Sequence, residues 1–374
     1  MVAVVARSED PAPLARALAE RALACTYADL DAATVAKVKT CLRDFIGCAC
    51  ETFDLPWARQ ARAAVGFGAA EGASVIGCAA AATPGDAAFA NAVMGHGLVR
   101  EDMHAGSISH LGIVVLPALL AQAETQPVSG ADFIAATVVG YEAGGRLGRA
   151  LLDKDVARIH RPTGITGPLA AALAGAHLRG LAPDAATSAL ALAANACAGF
   201  NQWAHTGGSE MFFQAGLAAR NAVTAVDLAV AGAFASPDAL EGEAGLFAAL
   251  GRRERAQGVR LFDGAPEILA VYHKPVPACN FAQTATVAAA DLVAQGGFTP
   301  ADIAAIEVRV PLAGARYPGC DARGPFEHVL QGKMSIQFNV AATLVSGTAG
   351  EHNFALLDDA AVRGLIARTT LTVD

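Results

Sequence analysis

Between Pro11 and about Gly251 the apolar residues recur at three- and four-residue spacing, the period of one face of an α-helix. The stretches "LARALAERAL", "DAATVAKVKTCLRDFIGCAC", "GDAAFANAVMGHGL", "GADFIAATVVGYEAGGRLGRAL", "GPLAAALAGAHLRGL", "DAATSALALAANACAGF" and "GLAARNAVTAVDLAVAGAF" all carry it. Several start with Asp, Ser or Gly where an N-cap is wanted. Their abundance of alanine and glycine predicts helices packed close together. Two short Pro-containing turns, "GLAPDAA" and "GAFASPDAL", read as links between antiparallel helices of a bundle.

The pattern changes after about Gly258. "EILAVYHKPVPAC" and "IAAIEVRVPLAG" are short β-branched runs separated by the helical "FAQTATVAAADLVAQ", which predicts strand, helix, strand, and "KMSIQFNVAATLVSG" predicts one more helix. The expected architecture is mainly α: a large all-helical domain over residues 1–257 and a smaller α/β lid domain over 258–374. The boundary falls near the charged "RRERAQG".

Composition agrees with a heavily buried helical protein. Of 374 residues, 17% are charged and 54% hydrophobic. The net charge of -8, with no Lys/Arg-rich run, argues against a nucleic-acid surface. The most apolar stretches, around 185–200 and 217–235, are alanine-dominated and broken by polar residues, so they read as buried helices and not membrane spans. The start, "MVAVVARSEDPAPLARALAERAL", places an acid pair and Pro where a secretory signal has its apolar centre, so a cytoplasmic protein is expected. Eight cysteines without a CxxC pair read as reduced thiols.

Polar residues gather in islands: Gly95 to His110, "GHGLVREDMHAGSISH"; Tyr141, Glu142 and Arg146; "HRPTG" at 160–164; "HTGGSEMFFQAG" at 205–216; "YHKPVPACNFAQ" at 272–283; and "GKMS" at 332–335. Burying so many polar groups is costly unless they are paired or line a cavity, and a cleft between the two parts is the natural place for them. The spacings of His96, His104 and His110 do not put two imidazoles on one helix face, and no HExxH occurs, so no metal is expected. GxSxG, GxxxxGK[ST] and a GxGxxG following a strand are absent.

In order along the chain, "CLRDFIGCA", "AFANAVMGHGLVREDMH", "ISHLGIVVLPALLAQAE", "GYEAGGRLGRAL", "IHRPTGITGPLAAALAGAHLRGL", "LEGEAGLF" and "HKPVPAC" resemble the landmarks of the MmgE/PrpD family. This family includes 2-methylcitrate dehydratase, cis-aconitate decarboxylase and iminodisuccinate epimerase. The resemblance implies a homodimer with a cofactor-independent site in the interdomain cleft. It also implies proton transfer at a carbon next to a carboxylate of a small di- or tricarboxylate. A poised base and cationic anchors suit that chemistry.

Carried over residue by residue, the resemblance puts His110, His160 and Lys274 at the family's active-site His, His and Lys, and Asp102 at the last acid of its "DxDD" run. His110 and His160 would transfer the proton, and Asp102 with His104 would orient or supplement them. Arg146 and Arg161 are candidate carboxylate anchors, and Thr163, Ser209, Cys279 and Gln283 candidate substrate contacts. Arg146 could equally be the i+4 structural partner of Glu142. The family's first acid falls on Val99, its small hydroxyl on Met103, and its "KxxHxG" Lys and His on Met211 and Gln214. The His beyond "KPYPxC" falls on Gln283. The leading expectation is a lyase of the dehydratase or decarboxylase kind. An epimerase or racemase is the alternative, because it needs no leaving group, and a non-catalytic carboxylate-binding protein is a third. The family usually continues for some tens of residues past the position of Asp374, so the lid is expected to be shortened or incomplete there.

Overall fold

The computed structural model describes residues 12–374. The first residues of the stretch used to judge export lie outside the described residues. The chain is mainly α-helical, with a small sheet-containing C-terminal domain.

The helical part runs α1 (Leu14–Leu23), α2 (Ala32–Thr52), α3 (Pro56–Ala63), α4 (Pro84–His96), α5 (Gly112–Ala123), α6 (Gly130–Leu151), α7 (Lys154–Ile159), α8 (Pro162–Leu178), α9 (Pro183–Asn195), α10 (Trp203–Thr206), α11 (Glu210–Val230) and α12 (Leu246–Ala249). Side chains of Asp31, Thr83, Ser129 and Asp153 cap α2, α4, α6 and α7 by accepting from first-turn backbone N–H groups. Helix α8 is buried along nearly its whole length and packs against α5, α6, α9 and α11. Its alanines and glycines explain how one helix can meet four. A Cβ on Gly164 would sit 1.9 Å from the carbonyl oxygen of Ala198, and one on Gly140 of α6 would sit 2.6 Å from Val115. Neither position admits a side chain without moving its neighbour.

"GLAPDAA" joins α8 to α9, which pack on each other as expected. "GAFASPDAL" leads instead into turns before the four-residue α12. The Gly-rich "EGEAG" that follows cannot sustain a helix.

The C-terminal part holds α13 (Gln283–Gln295), α14 (Leu312–Arg316), α15 (Val329–Met334), α16 (Ile336–Ser346) and α17 (Ala360–Ala367). Its strand pair differs from the expected strand, helix, strand unit. Only Val271–Tyr272 of the first apolar run is extended, because Pro275 and Pro277 remove ladder donors just beyond it. That strand, β2, pairs antiparallel with β1 (Met103–His104) of the helical part, in the register Met103↔Tyr272 and His104↔Val271. β3 (Ile306–Val310) pairs in parallel with β4 (Thr369–Val373).

The chain from Phe262 to Glu267 is fastened to α6, where the buried Glu142 carboxylate accepts from the backbone N–H of Phe262 (2.6 Å) and of Glu267 (2.9 Å). Together with the β1–β2 pair this brings Lys274 against the loop after α4.

Candidate active site

Helix α4 ends in His96, and the chain leaves it through Val99, whose φ of 58° is a conformation that costs a β-branched residue about 1–3 kcal/mol. The surroundings impose that turn. The Val99 N–H donates to His96 O at 2.9 Å, and its carbonyl accepts from Lys274 Nζ at 2.5 Å. The turn sends Glu101 back under His96. The following Asp102 faces the other way, as successive residues of an extended chain do.

Glu101 is the centre of the cluster. Its Oε1 lies 2.6 Å from His96 Nδ1 and 2.9 Å from His110 Nδ1, while its buried Oε2 has no hydrogen-bond partner among the described residues. Burial alone would raise the Glu101 pKa. The two imidazoles and the Lys274 ammonium outweigh it and hold the carboxyl well below its ordinary range, so it is a carboxylate.

The protons on the imidazoles follow from their partners. His96 Nε2 lies 2.9 Å from Arg161 Nη2, which can only donate, so His96 carries its single proton on Nδ1, toward Glu101. His110 Nδ1 faces two acceptors, Glu101 Oε1 and the Asp102 carbonyl at 3.0 Å, so it too is protonated there. Burial lowers the pKa of both rings. For His110, with Lys274 adding to the effect, it falls to about 3. Both histidines are therefore neutral near pH 7. His96 Nε2 is occupied by Arg161, whereas His110 Nε2 has no partner among the described residues and keeps a free lone pair.

Cations surround this pair. Lys274 and Arg161 are only 4% and 6% exposed. Arg161 lies over the Trp203 ring and interacts with the Tyr317 hydroxyl, while burial lowers the pKa of Lys274 against the opposing pull of Glu101. Lys333, fully buried, reaches Glu351 Oε2 at 2.5 Å, Leu98 O at 3.2 Å and Pro277 O at 3.3 Å. A groove of about 460 Å³, lined by Ala204, His205, Tyr317, Gly319, Asp321 and Gln331 among others, opens onto the outer side of Tyr317.

The other expected residues lie at varied distances from this centre. Thr163 Oγ1 accepts from the His110 N–H at 3.1 Å and so fixes the backbone beneath the base. Asp102 accepts from the Tyr141 hydroxyl and from Gly112 N at 3.2 Å, and burial raises its pKa. It braces the turn from behind. Gln283 folds the Val276–Cys279 turn, accepting from Val276 N at 3.0 Å and donating to Val276 O at 2.9 Å and Ala278 O at 3.0 Å. Cys279 lies beside Cys320, Sγ to Sγ 3.6 Å.

Four expected residues face elsewhere. His104 bonds Ser107 Oγ (2.8 Å) and Glu267 Oε2 (2.7 Å). Arg146 pairs with Glu142 and Glu267, which is the structural alternative anticipated for it. Arg146, Glu267 and Arg149 border a separate groove of about 590 Å³. His160 packs at a tilt against Phe200, ring centroids 5.8 Å apart, and Phe200 is 65% exposed; Ser209 is exposed at the start of α11. Met211 lies under Arg161, Sδ to Nη2 3.7 Å, and Gln214 donates to Phe200 O at 3.0 Å.

Glu101, His96, Tyr317 and Lys333 were not among the expected site residues. Glu101 and His96 stood in the histidine-rich stretch, and Lys333 in "GKMS". Tyr317 had no signal of its own.

The centre is thus a carboxylate-linked pair of neutral imidazoles in the helical part, closed over by lysines from a C-terminal layer. Residues 16–258 match the MmgE/PrpD N-terminal domain and residues 276–374 the MmgE/PrpD C-terminal domain; the chain is a member of the MmgE/PrpD family. It is 36% identical over 180 residues to the "Cis-aconitate decarboxylase-like protein oryM" of Aspergillus oryzae, covering 46% of this chain and 37% of that protein. It is 31% identical over 226 residues to the "Cis-aconitate decarboxylase" of Aspergillus terreus, covering 59% of this chain and 46% of that protein. The matched region thus spans less than half the length of these curated relatives. No helix of the described residues is long and apolar enough to cross a membrane.

Proposed function

We propose that this chain is a cofactor-independent lyase of the dehydratase or decarboxylase kind that acts on a small di- or tricarboxylate. The observation that carries the reading is His110: neutral, with Nε2 free, and backed at Nδ1 by the ionised Glu101. In a dehydration its lone pair takes the proton from a carbon next to a substrate carboxylate, the C–H electrons pass into that carboxylate as an enolate, and as they return hydroxide leaves the neighbouring carbon and takes a proton to become water. In a decarboxylation no C–H bond breaks: the C–C bond to the departing carboxylate breaks, CO2 leaves, its electron pair passes to the remaining acid, and Nε2, carrying a proton taken from water, delivers that proton to carbon. Glu101 stabilises the imidazolium formed on the way.

Lys274 and Arg161 hold the carboxylates and the developing charge. The names of the similar Aspergillus proteins support a substrate of this class. Both cations are closed in, so substrate enters when the C-terminal layer parts from the Leu98–Val99 carbonyls that Lys333 and Lys274 now hold. An epimerase needs a second proton-transfer group across the carbon. His96, the nearest imidazole, is committed to Arg161, which favours the lyase. A homodimer in the cytoplasm belongs to the same reading, and sedimentation velocity tests the dimer.

Proton NMR in D2O with a panel of citrate-, aconitate- and aspartate-like acids is the deciding experiment. The expected result is a new alkene or decarboxylated product, lost in His110→Gln. Exchange without net product would replace the lyase with an epimerase. If no acid exchanges while one raises the melting temperature, the protein is a carboxylate binder and the catalytic reading fails.

A further inference from the structure

Two thiols beside the site have no part in the chemistry just proposed. Cys279 ends the Lys274–Cys279 turn that Gln283 holds in shape, and its backbone N–H donates to Lys333 O at 2.8 Å. Cys320 lies in the turn between Tyr317 and Phe326, where Gly319 and Gly324 have positive φ. The sulfurs are 3.6 Å apart, in van der Waals contact, although 41 residues separate them in the chain. Cys320 is fully buried and Cys279 is 6% exposed.

Their surroundings differ in charge. Cys279 sits near Lys274 and Arg161, and its thiol is lowered from its ordinary pKa first by a hydrogen bond from Cys320 and also by those two cations, against the effect of burial. Cys320 is raised, by the same hydrogen bond and by burial. An electropositive setting of this kind makes one sulfur of a pair the attacking thiolate and leaves the other to resolve it. The 460 Å³ groove is walled by Pro318, Gly319 and Asp321, the chain neighbours of Cys320, although neither cysteine lines it.

We propose that Cys279 and Cys320 are a modification site, a thiol pair that a hydroperoxide converts reversibly into a disulfide. The Cys279 thiolate attacks the peroxide, the O–O bond breaks, water or an alcohol leaves with the proton, and Cys279 becomes a sulfenic acid. The Cys320 sulfur then attacks that sulfur, the S–O bond breaks, water leaves and the S–S bond forms. The peroxide gains the two electrons that the thiols lose. Closing the sulfurs to about 2.0 Å draws together the turns that carry Lys274 and Tyr317. The inference stands on the sulfur geometry and does not depend on which reaction the neighbouring centre performs.

The test is thiol mapping on the full chain. Protein treated with hydrogen peroxide is alkylated with N-ethylmaleimide, digested without reduction and read by mass spectrometry. The expected result is a peptide pair joined through Cys279 and Cys320, formed about tenfold faster than the exposed Cys50 is lost and reversed by dithiothreitol. In Cys320→Ser, Cys279 should halt as a sulfenic acid that dimedone traps. The wild-type cross-link is decisive even if that variant does not fold. Loss of Cys50 while Cys279 and Cys320 both remain thiols would overturn the proposal. So would oxidation of Cys279 that never links to Cys320.

Discussion

Replacing Glu101 by Gln keeps the shape of the side chain and removes its charge, which isolates what the carboxylate contributes. In the resting protein it accepts from two neutral imidazoles. During proton abstraction one of them, His110, becomes an imidazolium, and its 2.9 Å contact turns into an ion pair. A hydrogen bond to a charged group contributes about 1.5–3 kcal/mol against about 0.5–1.5 kcal/mol for a neutral one, so the amide forfeits roughly 1–2 kcal/mol in the transition state. At about 1.4 kcal/mol per tenfold, kcat should fall roughly five- to thirtyfold. If the amide turns its NH2 toward the histidines, His110 must move its proton to Nε2, and the loss grows to about a thousandfold or more, because the base is then in the wrong tautomer.

Binding should move the other way. Removing a negative charge from among Lys274, Arg161 and Lys333 favours an anion, so the dissociation constant for a dicarboxylate should decrease. Steady-state kinetics with isothermal titration separates the two effects. An unchanged kcat, or a defect confined to weaker binding, would refute the assignment of Glu101 as the partner of the base.

Other perturbations test neighbouring parts of the argument. His160→Ala should change turnover by no more than about twofold, since its ring packs against an exposed phenylalanine; a loss as large as that of His110→Ala would return His160 to the catalytic set. His110, with a folded pKa of about 3 against about 6.5 when unfolded, stays neutral while the unfolded chain takes up a proton. It therefore costs stability as pH falls from about 6.5 toward 3. Relative to wild type, His110→Gln should gain up to about 1.4 kcal/mol per pH unit in that window, and parallel melting curves from pH 7 to pH 5 would contradict this. Gly164→Ala drives a methyl group into the Ala198 carbonyl and should destabilise by about 3 kcal/mol or more; a melting temperature within a degree of wild type would show that α8 can shift to accept it.

The helices were legible because their signal is local. "LARALAERAL" becomes α1 and "GADFIAATVVGYEAGGRLGRAL" becomes α6, and each announces itself within its own window. The site was legible only to the level of the segment. The stretch from His96 to His110 was singled out, yet Asp102 was preferred over its neighbour Glu101. Which of two consecutive acids faces inward depends on the left-handed turn at Val99, and that turn depends on Lys274, far away in the chain. The same one-residue ambiguity separates His160, which faces Phe200, from Arg161, which reaches His96. β2 was recognised as an extended run, but its partner, a two-residue strand in the middle of the polar stretch, carries no periodicity by which it could be found.

The β1–β2 pair also sets an order of assembly. Met103 and His104 leave the ribosome long before Tyr272 and Val271, with most of the helical part made in between, and the Val99 turn lacks its cation until Lys274 follows them. Contacts so distant in sequence close late in folding. A nascent chain can thus complete its helical layer, with Arg161 already beside His96, while its histidines still lack the two lysines, and it gains these in one step when the C-terminal layer docks.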